Sequence, residues 1–326
     1  MQKYALLVYD FSKFRAEANN EVNLGDYVQS LAAKQFLPQV DAYLEREHLN
    51  EAIQEEVNCI MNGWYMHGNN WPPHPKINPL FVSFHINSKA EHILLSENSL
   101  EYLKQHQPIG CRDSRTAKLL NDRGVDAYFS NCMTLTLGNE YATEESSGEI
   151  IFADPYIYEN LFGKIIRKLR RILGFGFNEN LTKKKIQNRY KDVLSSAFLN
   201  NFSVTTQIEK IPSKYNHEEY FKQAEELLKR YARAKVVITS RIHCALPCLG
   251  MGTPVIYIHS QRENEEHNSR LDGILELFDN IIYVNKNKIR SSKSFSSPDQ
   301  IKNADKHKMY AESLIEKVQR FIQSTK

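Results

Sequence analysis

The stretch that most limits what this chain can fold into is KVVITSRIHCALPCLGMGTPVIYIHS, residues 235–260. Val236 to Thr239 is a β-branched run with the unbroken apolar character of a strand buried on both faces, and Pro254 to Ile258 repeats it. Between them the sequence reads as a polar turn, a helix of small residues and a second turn. Ser240, Arg241 and His243 fall where the first strand releases the chain into that helix, the place where open α/β sheets put ligands. Unpaired backbone N–H groups there attract anions, and an arginine adds a two-pronged donor. The plainer alternative is a surface arginine and a core histidine at a helix start.

Composition narrows the partners. With 41% hydrophobic and 25% charged side chains, the 326 residues have core material for two domains of ordinary size. Basic residues number 42 against 39 acidic ones, a net charge of +3. With no dense basic stripe and no zinc-finger, RRM or basic-zipper pattern, this balance argues against a nucleic-acid partner. The cysteines, Cys59, Cys111, Cys132, Cys244 and Cys248, are scattered in apolar surroundings and fit reduced, buried thiols of a cytoplasmic protein. The apolar run Tyr4 to Tyr9 is cut by Asp10, too short for a signal-peptide core. No segment approaches the roughly 18 to 20 apolar residues of a membrane span.

Along the chain, Tyr4 to Phe11 reads as a first strand and NLGDYVQSLAAKQFL as a helix, with Asn23 or Asp26 available to cap it and Pro38 to stop it. The Gly25–Asp26 step puts a flexible backbone and a carboxylate at a strand-to-helix turn, where a plain cap and a ligand contact both fit. Val57 to Met66 and Leu80 to Ile86 are strand-like and flank a loop rich in proline and asparagine, a candidate cleft wall. His67, His74 and His85 lie on or beside it at spacings that match no zinc motif, so no metal is expected. His85 is set apart by standing at a strand end.

A βαβ rhythm follows, with a helix near Leu100 to Gln107, a strand Ile109 to Cys111, a helix Ser114 to Asp122 and a strand Val125 to Phe129. Arg112 thereby repeats the placement of Arg241, with Ser114 set to cap the helix and Asp113 to orient Arg112 or complete the cap. Glu149 to Asp154 reads as the last strand of the first half. The expected division is an N-terminal domain 1–155, a basic connecting segment 156–200 and a C-terminal domain 201–326. The strands of this last domain are Val204 to Lys210, Val236 to Thr239, Pro254 to Ile258 and Ile281 to Val284, and a terminal helix 298–324 can pack back. Arg270 and Asp272 fall near the second wall of the crevice. Within the connecting segment, residues 161–177 set an apolar stripe opposite Lys164, Arg167, Lys168, Arg170 and Arg171. Such a helix either lies on an anionic membrane surface or, more commonly, packs its stripe on its own protein.

Two α/β halves whose strand ends face one another make a cleft with Arg112 on one side and Arg241 and His243 on the other. That cleft calls for an anion, since bidentate arginine contacts suit a carboxylate or phosphate. A histidine beside those arginines can move a proton near neutral pH; the cations oppose its protonation in the free protein and an anion's charge relieves that opposition. The residues alone reach a small anionic substrate and a proton transfer.

NLGDYVQSLA, IGCRDSRTAKLLNDRGVDAYFS and VITSRIHCALPCLGMGTPVIYI, in that order and at those distances, resemble the polysaccharide pyruvyl transferase family over most of the chain. The resemblance implies an α/β fold of two Rossmann-like domains facing across a cleft, glycosyltransferase-B-like. It also implies transfer of the pyruvyl group of phosphoenolpyruvate onto two hydroxyls of a sugar, in a glycan or its lipid-linked precursor, giving a ketal and releasing phosphate. Phosphoenolpyruvate is then a donor substrate, with no separate cofactor. On this reading Arg112 and Arg241 hold the donor's carboxylate and phosphate and His243 protonates its enol methylene. Asp26, Asn23, His85, Asp113, Ser240 and Arg270 contact or orient the substrates. The basic 161–177 segment is then a candidate for peripheral membrane contact at a lipid-linked acceptor. Two positions depart from the family pattern. Cys244 stands where a small residue, often glycine, is usual, and Pro247 removes a helical bond to the carbonyl of His243 or shifts the helix start. A sugar-nucleotide glycosyltransferase of the same fold and a non-catalytic anion- or sugar-binding protein are the rival functions.

Overall fold

A computed structural model describes residues 2–9, 21–65, 68–157, 179–210, 216–260, 270–286 and 288–325. His67 and the basic 161–177 segment lie outside the described residues. In chain order the strands of the first half are β1 (Tyr4–Val8), β2 (Glu21–Asn23), β3 (Ala42–Glu45), β4 (Val57–Tyr65), β5 (Ile77–Ile86), β6 (Ile109–Cys111) and β7 (Ala127–Phe129). Those of the second are β8 (Ile150–Ala153), β9 (Ser203–Thr205), β10 (Ile208–Lys210), β11 (Val236–Thr239), β12 (Val255–Ser260), β13 (Ile281–Val284) and β14 (Ile289–Ser291).

The protein is α/β. One six-stranded sheet runs β3-β1-β4-β5-β6-β7 and another β14-β13-β12-β11-β8-β9. The first is parallel throughout, and in the second only β14 is antiparallel to its neighbour. Buried parallel strands need apolar side chains on both faces, and the alternation shows it directly. Leu6 and Val8 of β1 and Val237 of β11 point into a core shared by the two sheets, together with the Leu24–Lys34, His217–Ala232 and Ile242–Met251 helices. Ala5 and Leu7 face a core on the outside of the first sheet. Val236 and Ile238 face one on the outside of the second.

Four expectations change, the first being the single strand Val204 to Lys210, which is broken at Gln207 into β9 and β10 in different sheets. The strand Ile150–Ala153, read as closing the first half, pairs with β11 and β9 in the second sheet. The 1–155 boundary therefore does not follow the sheets. An all-apolar strand buried on both faces carries no mark of which sheet it joins. The terminal helix spans Lys308–Ser324 rather than 298–324. Before it, Asn303 is drawn off by side-chain bonds to the Val255 N–H and the Thr253 carbonyl. The cap of the Ser114–Asn121 helix is Asp113, whose carboxylate accepts from the Thr116 N–H, and not Ser114.

The halves are tied in several places. β10 pairs antiparallel with β2, and Tyr27 Oη meets His217 Nδ1 at 2.8 Å while His217 Nε2 lies 2.9 Å from Glu45. The terminal helix packs back on the first half, with Tyr310 against Phe129 and Lys317 over the Tyr128 ring. Among the described residues no helix is long and apolar enough to cross a membrane.

Candidate active site

The C-terminal ends of β4, β5, β6 and β11 converge on one cavity of about 510 Å³. Asn23, Asp26, His85, Arg112, Arg241, His243 and Arg270 all line it. Asp113 and Ser240 do not; they stand behind. Asp113 is fully buried beneath His85, and Ser240 Oγ donates to the Asp154 carbonyl at 2.6 Å. Another cavity, about 560 Å³, lies at the opposite end of the Ile242–Met251 helix. It has no buried polar side chain without a partner among the described residues, so the chemistry points to the first.

Arg112 follows β6 with its backbone N–H bonded to Phe84 O of β5. Its side chain is only 4% exposed, Nε is buried without a partner, and no carboxylate makes an ion pair with it among the described residues. A buried guanidinium left in this state is costly unless an anion meets it. Arg241 is more open, and Asp154 at the end of β8 holds it, Nε to Oδ2 at 3.3 Å. His243 sits at a kink where the Ile242–Met251 helix begins (φ −81°, ψ 15°), and its Nε2 is buried with no partner among the described residues.

Beside Arg112, His85 Nδ1 donates to Asp113 Oδ2 at 2.5 Å. Asp113 is fixed in turn by the Thr116 N–H at 2.8 Å and the Thr116 hydroxyl at 3.0 Å. This assigns the His85 proton to Nδ1 and leaves Nε2 as the acceptor, the geometry of a carboxylate-oriented general base. Across the cavity Asn23 Oδ1 accepts from the Gly25 N–H as the helix cap, while Asp26 takes bonds from Asn23 and Gln29. A side chain on Gly25 would come within 3.1 Å of Asn23 Oδ1 and 3.3 Å of His243 Cβ, so glycine is what lets this helix start close on the histidine.

Electrostatics follow from burial among cations. Burial, then Arg112, Arg270, His85 and Arg241, holds His243 well below the usual imidazole range. His85 is pushed down to about 4, by burial first and Arg112 second, against the pull of Asp113. Burial raises Asp26 despite Arg46 and Arg112. For Asp113 burial acts upward too, but the hydrogen bond and charge of His85, with Arg112, leave it below the usual carboxylate range. Both histidines are thus neutral in the free protein at neutral pH.

Sequence reasoning missed Asp154, which holds Arg241, and, in the cavity lining, Gln207 and the wall formed by Trp64 and Asn69. Asp154 and Trp64 had a readable signal, since each stands at or just past the end of a buried parallel strand. Gln207 and Asn69 lie in bends with no pattern. Trp64 is backed by the Arg46 guanidinium, 4.2 Å from its ring, and Arg46 pairs with Glu47, whose carboxylate accepts from the Gly68 N–H.

No protein of curated function matches the chain in sequence. A crystal structure of a functionally uncharacterized protein from Klebsiella pneumoniae is similar at 13% identity, over 82% of this chain and 87% of that one, with a TM-score of 0.39. The profile of the polysaccharide pyruvyl transferase family matches residues 23–261. That span opens on the cap Asn23, closes just past β12, and takes in Asp26, His85, Arg112, Arg241 and His243; the chain belongs to the polysaccharide pyruvyl transferase family.

Proposed function

We propose that the protein transfers the pyruvyl group of phosphoenolpyruvate onto two hydroxyls of a sugar, in a glycan or its lipid-linked precursor, within a glycosyltransferase-B-like pair of Rossmann-type halves. The observation that carries this reading is Arg112, a buried guanidinium without a partner, in the same cavity as Arg241, Arg270 and His243. Phosphoenolpyruvate carries a carboxylate and a phosphate, so it supplies an anion to each side of that cavity.

In the proposed reaction Arg112 and Arg241 hold the two anionic groups. The donor's charge offsets the cations around His243, which becomes protonated and gives that proton to the enol methylene. C2 becomes oxocarbenium-like, and a sugar hydroxyl adds to it while its proton passes to His85 Nε2. A second hydroxyl then attacks C2, the C2–O bond to phosphate breaks, and phosphate leaves with the second hydroxyl's proton. Asp113 keeps the His85 ring in its tautomer, and Asp26 orients the acceptor. The test is phosphate release from phosphoenolpyruvate across a panel of glycosyl acceptors, lipid-linked ones included, alongside calorimetric titration with phosphoenolpyruvate and with nucleotide sugars. Release that falls about 100-fold or more in Arg241→Ala and His243→Ala is expected. Unchanged release in either variant, or binding of nucleotide sugars alone, overturns the assignment.

A further inference from the structure

We infer that Gln207 and Asp154 form a bracket that sets the positions of His243 and Arg241 together and ties both to the start of the Leu24–Lys34 helix. Gln207 is 1% exposed, in the bend between β9 and β10. Its side-chain Nε2 donates to the carbonyl of His243 at 3.1 Å. That carbonyl is available because the residue four positions on is Pro247, which has no N–H to give it. The Gln207 backbone N–H donates to Asp154 Oδ2 at 2.9 Å, the oxygen that also receives Arg241 Nε at 3.3 Å. The Gln207 carbonyl accepts the Leu24 N–H at 2.8 Å, next to the cap residue Asn23. One buried residue therefore touches the backbone of the proposed acid, the carboxylate that orients one arginine, and the helix that carries Asp26.

Asp154 holds its place in an uncommon backbone conformation, φ 43°. Its N–H donates to Thr205 O at 3.1 Å and its carbonyl takes the Ser240 hydroxyl at 2.6 Å, so the surroundings fix it on every side. Strain of this kind persists where neighbouring bonds over-determine it, and it collects at functional sites. Gln207 and Asp154 act through His243 and Arg241 and are positioning residues. Pro247 and Gln207 form one device: the proline frees a carbonyl at the kink, and the amide in the bend between β9 and β10 captures it.

The kinetic part of the test rests on the pyruvyl-transfer reading; the spectroscopic part does not. Wild type, Gln207→Ala and the double variant Gln207→Ala/Pro247→Ala are compared by phosphate release, by phosphoenolpyruvate titration and by the ring NMR shifts of His243 in the ligand-free protein. Gln207→Ala is expected to lower kcat about 10- to 100-fold, as a misplacement near 1 Å does, with a much smaller change in donor affinity. It also moves the His243 shifts. The Pro247→Ala change restores a backbone N–H for the orphaned carbonyl, so the double variant is expected to regain much of the kcat and the wild-type shifts. Gln207→Glu, which can donate to that carbonyl only when protonated, gains activity relative to wild type as the pH falls from about 8 to about 5.5. A double variant no better than Gln207→Ala, or a Gln207→Glu profile parallel to wild type, overturns the bracket. His243 shifts untouched in Gln207→Ala do the same without any substrate, whereas a wild type that ignores phosphoenolpyruvate overturns only the reaction reading.

Discussion

Replacing Arg112 by methionine separates an arginine that waits for a ligand from one that holds the fold. The guanidinium is 4% exposed and has no ion pair among the described residues; its influence on Asp26 and Asp113 acts across a gap rather than through a contact. Removing one partner of a buried ion pair costs about 3–5 kcal/mol, whereas exchanging an unpaired buried charge for an apolar side chain of similar length is neutral or stabilising by about 1–3 kcal/mol. At about 2 °C per kcal/mol for a chain of this length, Arg112→Met is expected to unfold at the wild-type temperature or up to about 6 °C above it. Thermal unfolding is then repeated with phosphoenolpyruvate. At about 100 times its dissociation constant a ligand stabilises the native state by about 2.7 kcal/mol, so the wild type shifts upward by several degrees and the variant does not. A variant that melts about 5 °C or more below wild type refutes the reasoning, because it makes Arg112 a structural partner. A variant still stabilised by the donor refutes its role as anion ligand.

Three other outcomes follow from the same geometry. Because His85 is held near 4 and His243 well below its ordinary value, both stay neutral in the fold while the unfolded chain protonates them below about 6.5; the stability they contribute is full above that pH and is lost as the pH falls toward 4, at about 1.4 kcal/mol per pH unit for each. Asp26, raised by burial, runs the other way and offsets part of this; urea midpoints between about pH 7 and 5 test it, and an identical slope in His85→Asn removes His85 from the account. A methyl added at Gly250 would sit 2.2 Å from Leu135 O, and one at Gly138 2.1 Å from Gly250 O, so Gly250→Ala is expected to lower stability by about 3 kcal/mol, read as a fall in urea midpoint; a loss under about 1 kcal/mol excludes the close approach. Binding of phosphoenolpyruvate at about pH 7.5 should take up a proton, measured by calorimetry in two buffers of different ionisation enthalpy, and equal uptake in His243→Ala contradicts the proposed acid.

Three of the site residues that sequence alone located share one property, an address at the end of a buried strand. Arg112 after Cys111, Arg241 after Thr239 and His85 near the end of β5 are legible because unbroken apolar runs mark parallel strands, and ligands bind where such strands stop. The same apolar character hides which sheet a strand joins, and Ile150–Ala153 is misassigned from sequence for that reason. Asp154 lies in view as the last residue of EIIFAD, but its left-handed backbone is not written in the residue type. Gln207 is out of reach. It sits between two three-residue strands, and its role exists only because Pro247, far along the chain, leaves a carbonyl open. Sequence reasoning does find that open carbonyl; what it lacks is the three-dimensional neighbour that fills it.

The cavity is electrostatically unfinished, and that state gives the proposed reaction its order. An acid that must protonate a carbon is neutral in the free protein, since burial and the charges of Arg112, Arg270 and Arg241 all oppose its protonation. One unit charge at about 4 Å, at an effective dielectric near 20, is worth about 4 kcal/mol, or roughly three pKa units. The anionic groups of phosphoenolpyruvate, set on those same arginines, would therefore act against the cations that hold His243 low and favour its protonated form. In the proposed reaction the donor in this way favours the acid that activates it. His85 is subject to the same field but is fixed by Asp113, which keeps its proton on Nδ1 and its Nε2 open. In the proposed reaction the two imidazoles of the cavity are thus set toward different tasks by their partners: His85 by a carboxylate beneath it, and His243 by a carbonyl bond to Gln207 that leaves its ring free.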